Sequence, residues 1–335
     1  MDHEHSDAAV DTHHHFVPDV VFRRLQDMAG GAPRLVNEHI SITLDSKLRD
    51  PDAHLQVMDA GGIRTAVLTN SGLNFMGIDT CRQLNDGLAE VVRNDPTRFV
   101  TCAHLPAAAG AADELRRCID ELGIVAVALP TTQNGVHLDD PAMDPIWALA
   151  EAQSLLVMLH PNLLPAGAET AYAMDRVIER FTDTSRAVIR IMRSVTDRYP
   201  ELRFMLSHCG GTMTFLKGRM AMFYEHADAP KPPELANYGI TARQRAEIGL
   251  DRVFEERFRR LHVDTAGTGG WWPALKMARE VWGADRMLFG TDFPLEAKTG
   301  EDVLEFRDAL VTAGFAGDEL CAVEHANAAA LFGLD

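Results

Sequence analysis

The chain is poor in the features that mark several protein classes. Its 335 residues hold five cysteines, at 81, 102, 118, 209 and 321, an odd number with no pair close enough for a CxxC motif. That argues against a disulfide framework, and the thiols are expected to be reduced, as in a cytosolic protein. No apolar run approaches the roughly 18–20 residues that a membrane-spanning helix needs. The opening MDHEHSDAAV lacks the basic region and apolar stretch of a secretory leader, so a cytoplasmic location is expected. Basic residues are outnumbered, 32 Lys and Arg against 49 Asp and Glu, for a net charge of −17. Such a chain repels a nucleic-acid polyanion. There is no internal repeat and no low-complexity tract.

What is present is an ordinary globular composition, 46% hydrophobic and 24% charged. Short β-branched apolar runs alternate with longer amphipathic stretches. Eight strands are expected, at 8–13, 64–70, 98–104, 124–130, 155–160, 203–208, 261–266 and 286–292. Helical stretches fill the gaps, with stop signals at Gly61–Gly62, Gly123 and Pro200. Strand alternating with helix implies parallel strands and right-handed crossovers. Eight such units over one chain of this length predict a single domain, 1–335, folded as a closed (β/α)8 TIM barrel. An open doubly wound sheet would want a glycine-rich phosphate turn after the first strand, and none follows. Residues 19–50 and 220–258 read as small insertions capping the C-terminal face of the barrel.

Polar residues gather at the expected strand ends. His13 and His15 end the first strand, His160 the fifth, His208 the sixth, Asp264 the seventh and Asp292 the eighth. In a barrel these ends converge on the face where chemistry sits. Strand parity puts His13 and His15 on one side and turns His14 away. With His160 and Asp292 they form a set of three imidazoles and a carboxylate. That set suits one divalent cation, Zn2+ first and Mn2+ second, with a position left for water or substrate. Asp264 is equally consistent with a bond to backbone at the barrel rim. The other histidines, 14, 39, 54, 104, 137, 226, 262 and 325, read as structural or exposed. His3 and His5 read as an exposed tail.

At these residues the chain resembles the amidohydrolase superfamily, in the branch of the aminocarboxymuconate-semialdehyde and hydroxybenzoate decarboxylases. The resemblance covers nearly the whole length. It is carried by DTHHHFVP, LNDGLAEVVRNDPTRFVTCAHLP, LDDPAMDPIWALAEAQSLLVMLHP, DRYPELRFMLSHCGG, LHVDTAG, DRMLFGTDFPLE and HANAAALFGLD. It implies His13, His15, His160 and Asp292 as metal ligands, and His208 and Asp292 as catalytic groups. The fourth strand ends VALPTT, without the lysine that bridges two metals in binuclear relatives, so one ion is expected. Arg219 resembles an arginine that holds a substrate carboxylate across a homodimer interface. The segment SITLDSKLRD departs from the pattern of the aminocarboxymuconate enzymes, leaving Lys47 or Arg49 as substitutes for a substrate-binding arginine. TGGWWPAL departs too, and offers Trp271 and Trp272 as walls of an aromatic pocket.

The activity implied is metal-dependent nonoxidative decarboxylation of an aromatic or conjugated carboxylic acid, a small-molecule substrate. The same residues suit hydrolysis of an ester, lactone or amide. A noncatalytic binding protein on an inherited barrel is the remaining reading. It gives no physical reason for five convergent polar groups.

Overall fold

The computed structural model describes residue 5, residues 8–224 and residues 240–334. Eight parallel strands form the frame: β1 Ala9–His15, β2 Ile63–Thr69, β3 (Phe99–Thr101 and Ala103–His104), β4 Ala126–Pro130, β5 Leu156–His160, β6 Arg203–Leu206, β7 Leu261–Asp264 and β8 Met287–Leu288. The two pieces of β3 join the two ladders. Phe99 stands opposite Ala66 of β2, and Ala103 opposite Val127 of β4. The ladder then runs β4, β5, β6, β7, β8. Closure comes from the chain just past β8. Phe289 O accepts from Thr12 N at 2.9 Å, Asp292 N donates to His13 O at 2.8 Å, and His15 N donates to Phe293 O at 2.8 Å. The barrel is therefore complete, as expected from the sequence.

The strands are buried on both faces, which is why they read as nearly continuous apolar runs. Val10, Val67, Ala126, Leu156, Met158, Met205 and Leu288 fill the interior with Phe332. A larger cluster, including Leu129, Trp147, Val188, Phe204, Val263 and Leu310, packs strands against helices. Alternation along β5 is regular. Leu156 and Met158 belong to the interior cluster, and His160 continues the row to the mouth.

β1 breaks that rule. Val10 faces the interior, yet His14, of the same parity, packs outward against His54 at 4.8 Å between ring centroids. The register against β2 shows why. Asp11 pairs with Ala66 and His14 with Leu68, so three residues of β1 advance against two of β2. This bulge re-aims the strand and brings His13 and His15 to the inner side.

Residues 19–50 form a helix, Asp19–Met28, a hairpin of Arg34–Val36 against Ser41–Thr43, and a short turn, Ser46–Arg49. They have an apolar seam of their own, in which Val21, Phe22, Leu35, Ile42 and Leu48 meet Leu73, Leu84 and Leu163. In the second expected insertion, residues 225–239 lie outside the described residues. The rest holds two helices, Ala242–Glu247 and Leu250–Phe258, separated at Gly249 with φ 71°. His226 and His3 also lie outside the described residues. His5 corrects the expectation of a free tail: its ring nitrogens contact Glu324 at 2.9 Å and Asp308 at 3.0 Å. No helix among the described residues is long and apolar enough to cross a membrane.

Asn85, from the LNDGLAE stretch, ties a helix to β3. Its side chain accepts from His104 N at 2.7 Å and donates to His104 O at 3.1 Å. His104 Nε2 in turn accepts from Asn70 N at 2.8 Å. Burial pushes the His104 imidazole down to about 4. The unfolded chain takes up that proton near pH ~6.5. The neutral ring's contribution is thus full above ~6.5 and is lost as pH falls toward 4, by about 3 kcal/mol in all. Denaturant unfolding at pH 7.5 and 4.5 should show a smaller loss for His104→Gln than for the wild type. Equal losses would remove His104 from this role.

Candidate metal and active site

His13, His15 and His160 are buried, and each fixes its ring by one outward hydrogen bond. His13 Nδ1–H donates to Asp264 Oδ2 at 2.7 Å. His15 Nδ1–H donates to the carbonyl of Thr69, at the end of β2, at 3.1 Å. His160 Nδ1–H donates to Pro161 O at 2.7 Å. With Nδ1 committed outward, each ring in its unprotonated form presents its Nε2 lone pair toward the barrel axis. Asp292 Oδ1 lies 2.8 Å from His15 Nε2 and 3.7 Å from His13 Nε2. The two Nε2 atoms of His13 and His15 are themselves 3.1 Å apart.

The arrangement fits a divalent cation on its own evidence. Two sets of ligand atoms, His13–His15–Asp292 and His13–His160–His208, each lie within 4.8 Å of one another. Asp292 Oδ1 and both ring nitrogens of His208 are buried without a hydrogen-bond partner. Buried polar atoms are normally satisfied, so these atoms point to a missing partner. Electrostatics agree. Burial opposes charge on His13, but the carboxylates of Asp264 and Asp292 outweigh it and push the imidazole up to about 9. Positive charge is thus stabilised at that junction. His15 is lowered by burial, and His160 lies well below the usual range through burial and the neighbouring histidines; both favour the unprotonated ligand form. Burial alone would raise Asp292, yet the neighbouring imidazoles, His13 first, hold it well below the usual carboxylate range.

Asp264 organises the centre. Besides His13 it accepts from His208 N at 2.7 Å and Ala266 N at 3.2 Å. The rim hydrogen bonds expected for it are there, but so is a direct hold on His13. His208 follows β6 in a short turn with φ 58° rather than in the strand, and stacks on His13 with centroids 5.1 Å apart. Asp292 has φ 52°. Non-glycine residues at positive φ are uncommon, and here both stand at the centre of the site. Gly267 permits this packing: a Cβ there would lie 2.5 Å from His208 Cδ2, and its φ is 75°. Asp11, the first residue of the DTHHH run, stitches β1 to the Asp292 loop. It accepts from Thr291 N at 3.0 Å, from Thr291 Oγ1, and from His14 Nδ1 at 2.7 Å. His14 continues outward to His54, whose Nε2 donates to Lys47 O at 2.7 Å.

His208 and Asp292 open onto a cavity of about 390 Å3. The insertion 19–50 contributes Ser41, Ile42, Thr43 and Asp45 to its wall, and the chain after β5 contributes Leu163, Arg176, Arg180 and Phe181. Glu296 completes the far side, where it accepts from Gly267 N at 2.6 Å and from Gly269 N. Burial and Asp292 raise its carboxyl above the usual range.

The five residues expected to bind substrate stand elsewhere. Arg219 is exposed, with its guanidinium 4.8 Å over the Phe223 ring. Trp271 and Trp272 are 64% and 43% exposed. Lys47 Nζ donates to Lys298 O at 2.8 Å, and Arg49 pairs with Asp19 and covers Phe22. None of them lines the cavity of this chain. Arg176, Arg180, Phe181 and Glu296 do, and were not anticipated. Glu296 lies inside the DFPLE stretch, four residues past Asp292. Arg180 and Phe181 precede the helical stretch expected at 185–200, and no sequence signal marked them.

Residues 10–334 match the family model described as amidohydrolase. The chain belongs to the amidohydrolase family. Within it, the chain is 30% identical over 284 residues to the gamma-resorcylate decarboxylase of Polaromonas sp., covering 76% of this chain and 80% of the relative. It is 28% identical over 265 residues to the 2-amino-3-carboxymuconate-6-semialdehyde decarboxylase of Dictyostelium discoideum, covering 75% and 68%. A solved 2,6-dihydroxybenzoate decarboxylase complexed with 2,6-dihydroxybenzoate superposes with a TM-score of 0.73 at 25% identity, over 98% of this chain and 99% of that one. The dihydroxybenzoic acid decarboxylase of Polaromonas sp., solved with manganese and 2-nitroresorcinol, shares the fold with a TM-score of 0.76 at 24% identity, over 98% of both chains. These amidohydrolases include decarboxylases of aromatic and conjugated acids, as expected from the sequence motifs.

Loss of the Asp264 carboxylate should loosen His13. Asp264→Ala is expected to weaken affinity for Mn2+ or Zn2+ about 10- to 100-fold, by titration of the metal-free protein. Gly267→Ala should keep wild-type metal content while lowering activity, because its Cβ would meet the His208 ring. Metal loss in that variant would place His208 among the ligands.

Proposed function

We propose that this amidohydrolase is a metal-dependent nonoxidative decarboxylase of an aromatic or conjugated carboxylic acid. The observation that carries the reading is the division of the centre into two parts. Three imidazoles have Nδ1 tied outward and Nε2 turned inward beside Asp292. His208 has both ring nitrogens unpartnered at the cavity. The first part is built to hold an ion, and the second to meet a substrate. Similarity to decarboxylases over most of the chain supports the same reading.

His13, His15, His160 and Asp292 hold the ion in this proposal, Zn2+ or Mn2+ by the chemistry of the donor set. When bound, the ion supplies Lewis acidity toward an oxygen of the acid. The cavity is of a size to suit one ring. The carbon bearing the carboxylate takes a proton, its bond to the carboxylate breaks, and CO2 leaves with no net change of oxidation state. Two groups stand ready for that proton, His208 and Asp292. Asp292 is held as a carboxylate, so His208 is assigned as the donor and Asp292 as its electrostatic partner, 3.6 Å away.

The metal-loaded protein, incubated with a panel of hydroxybenzoates and muconate-type acids in H2(18)O, should release CO2 without 18O in the organic product. Incorporation of 18O without CO2 would overturn the proposal in favour of hydrolysis. His208→Asn should retain the metal and lose turnover. We also assign a homodimer. Helix Met213–Met222 packs on helix Trp272–Trp282 and leaves Phe215 77% exposed, an apolar surface for a partner to cover. Sedimentation should give twice the chain mass, and a single-chain mass would contradict the assignment.

A further inference from the structure

Among the described residues Arg180 makes no ion pair, and the Asp292 and Asp175 carboxylates act on it only from a distance. Arg180 begins the helix Arg180–Arg190 and lines the cavity with His208 and Asp292. Its Nη2 donates to Leu163 O at 2.7 Å and to Ser41 O at 3.0 Å. Both acceptors are neutral carbonyls. They fix the guanidinium between the chain after β5 and the hairpin of the insertion. Nε is buried and has no hydrogen-bond partner. Among the described residues no carboxylate comes within ion-pair distance of Arg180; Asp175, its neighbour one turn earlier, leans toward Arg176 at 3.8 Å instead. Arg180 is half-buried with its Nε out of reach of water; a guanidinium so placed gains from an anion, and an arginine offers a fixed planar fork that matches a carboxylate.

Such a group, pre-positioned and unpaired, is what an anionic ligand completes. We propose that Arg180 is the specificity-determining anchor of the pocket, taking the carboxylate of the substrate from within the same chain that holds the metal ligands. The ring of the acid then lies against Phe181, Ile42 and Leu163, which share the cavity. This rests on the decarboxylase reading for the choice of acid and deepens it by naming the group that distinguishes an acid from the phenol left when CO2 departs. A product without a carboxylate loses its hold on Arg180, which favours release.

The test is equilibrium binding to the metal-loaded full chain. Each hydroxybenzoate is paired with the phenol that differs only by the carboxylate; 2,6-dihydroxybenzoate and resorcinol are one such pair. Arg180→Gln should weaken the acid about 10- to 100-fold and leave the phenol unchanged. Arg180→Lys, which keeps the charge without the fork, should recover part of the loss and covers the case in which the glutamine variant folds poorly. Metal content and melting temperature should match the wild type, since a merely structural Arg180 would disturb acid and phenol alike. Equal weakening of both ligands, an unchanged acid affinity, or a wild type that prefers no acid over its phenol would overturn the assignment. The two proposals fail separately. Carboxylate-dependent binding without CO2 release sinks the decarboxylase and keeps Arg180. CO2 release with unaltered acid binding in Arg180→Gln does the reverse.

Discussion

The site depends on one buried carboxylate. Asp264 Oδ2 holds the ring of His13, and Oδ1 holds the backbone of His208. One side chain thus orients a ligand of the expected metal and places the histidine that faces the cavity. It is fully buried, where a charge is tolerated only if its hydrogen bonds are made, and it makes three. That requirement fixes the spacing between β1, the turn after β6 and β7. Without it, His13 would be free to turn about its χ2, and the ring of Nε2 lone pairs would lose its common focus.

The barrel supplies the rest of the geometry by short, local devices. β5 delivers His160 through plain alternation. β1 needs a bulge to turn His13 and His15 inward and His14 outward. Asp292 and His208 sit at positive φ, held by Asp11–Thr291 contacts on one side and by the closeness of Gly267 on the other. These are strained positions that surrounding bonds overdetermine, and they coincide with the two groups assigned to the chemistry. The insertion 19–50 then forms one wall of the cavity and holds Arg180 through Ser41 O.

Much of this was legible in the sequence. Strand–helix alternation gives the barrel because buried parallel strands must be short and apolar, and their ends must gather on one face. His13, His15, His160, His208 and Asp292 lie at such ends, so the structure brings all of them together. Parity alone predicted the split of the HHH run correctly but for an incomplete reason, since the bulge that produces it leaves no mark in residue types. Asp264 was visible as a strand-end acid, yet its hold on His13 depends on a distance across 251 positions. The cavity wall was the least legible part. Arg180 belongs to an amphipathic helix, where an arginine usually faces solvent. Here it is half-buried, with the hairpin carbonyl of Ser41 accepting from its Nη2. Lys47, Arg49, Trp271 and Trp272 looked suited to substrate by type, but the fold spends the first two on contacts with Lys298 O and Asp19 and leaves the tryptophans exposed.

The central claim is that four side chains focus on one ion while His208 stays free of it. A crystal of the protein soaked in Mn2+ and measured at the manganese absorption edge tests this most directly. The account predicts a single anomalous peak per chain, about 2.0–2.2 Å from Nε2 of His13, His15 and His160 and from a carboxylate oxygen of Asp292, with both nitrogens of His208 beyond bonding distance. Two peaks in the site, or one peak bonded to His208 in place of His15, would contradict it.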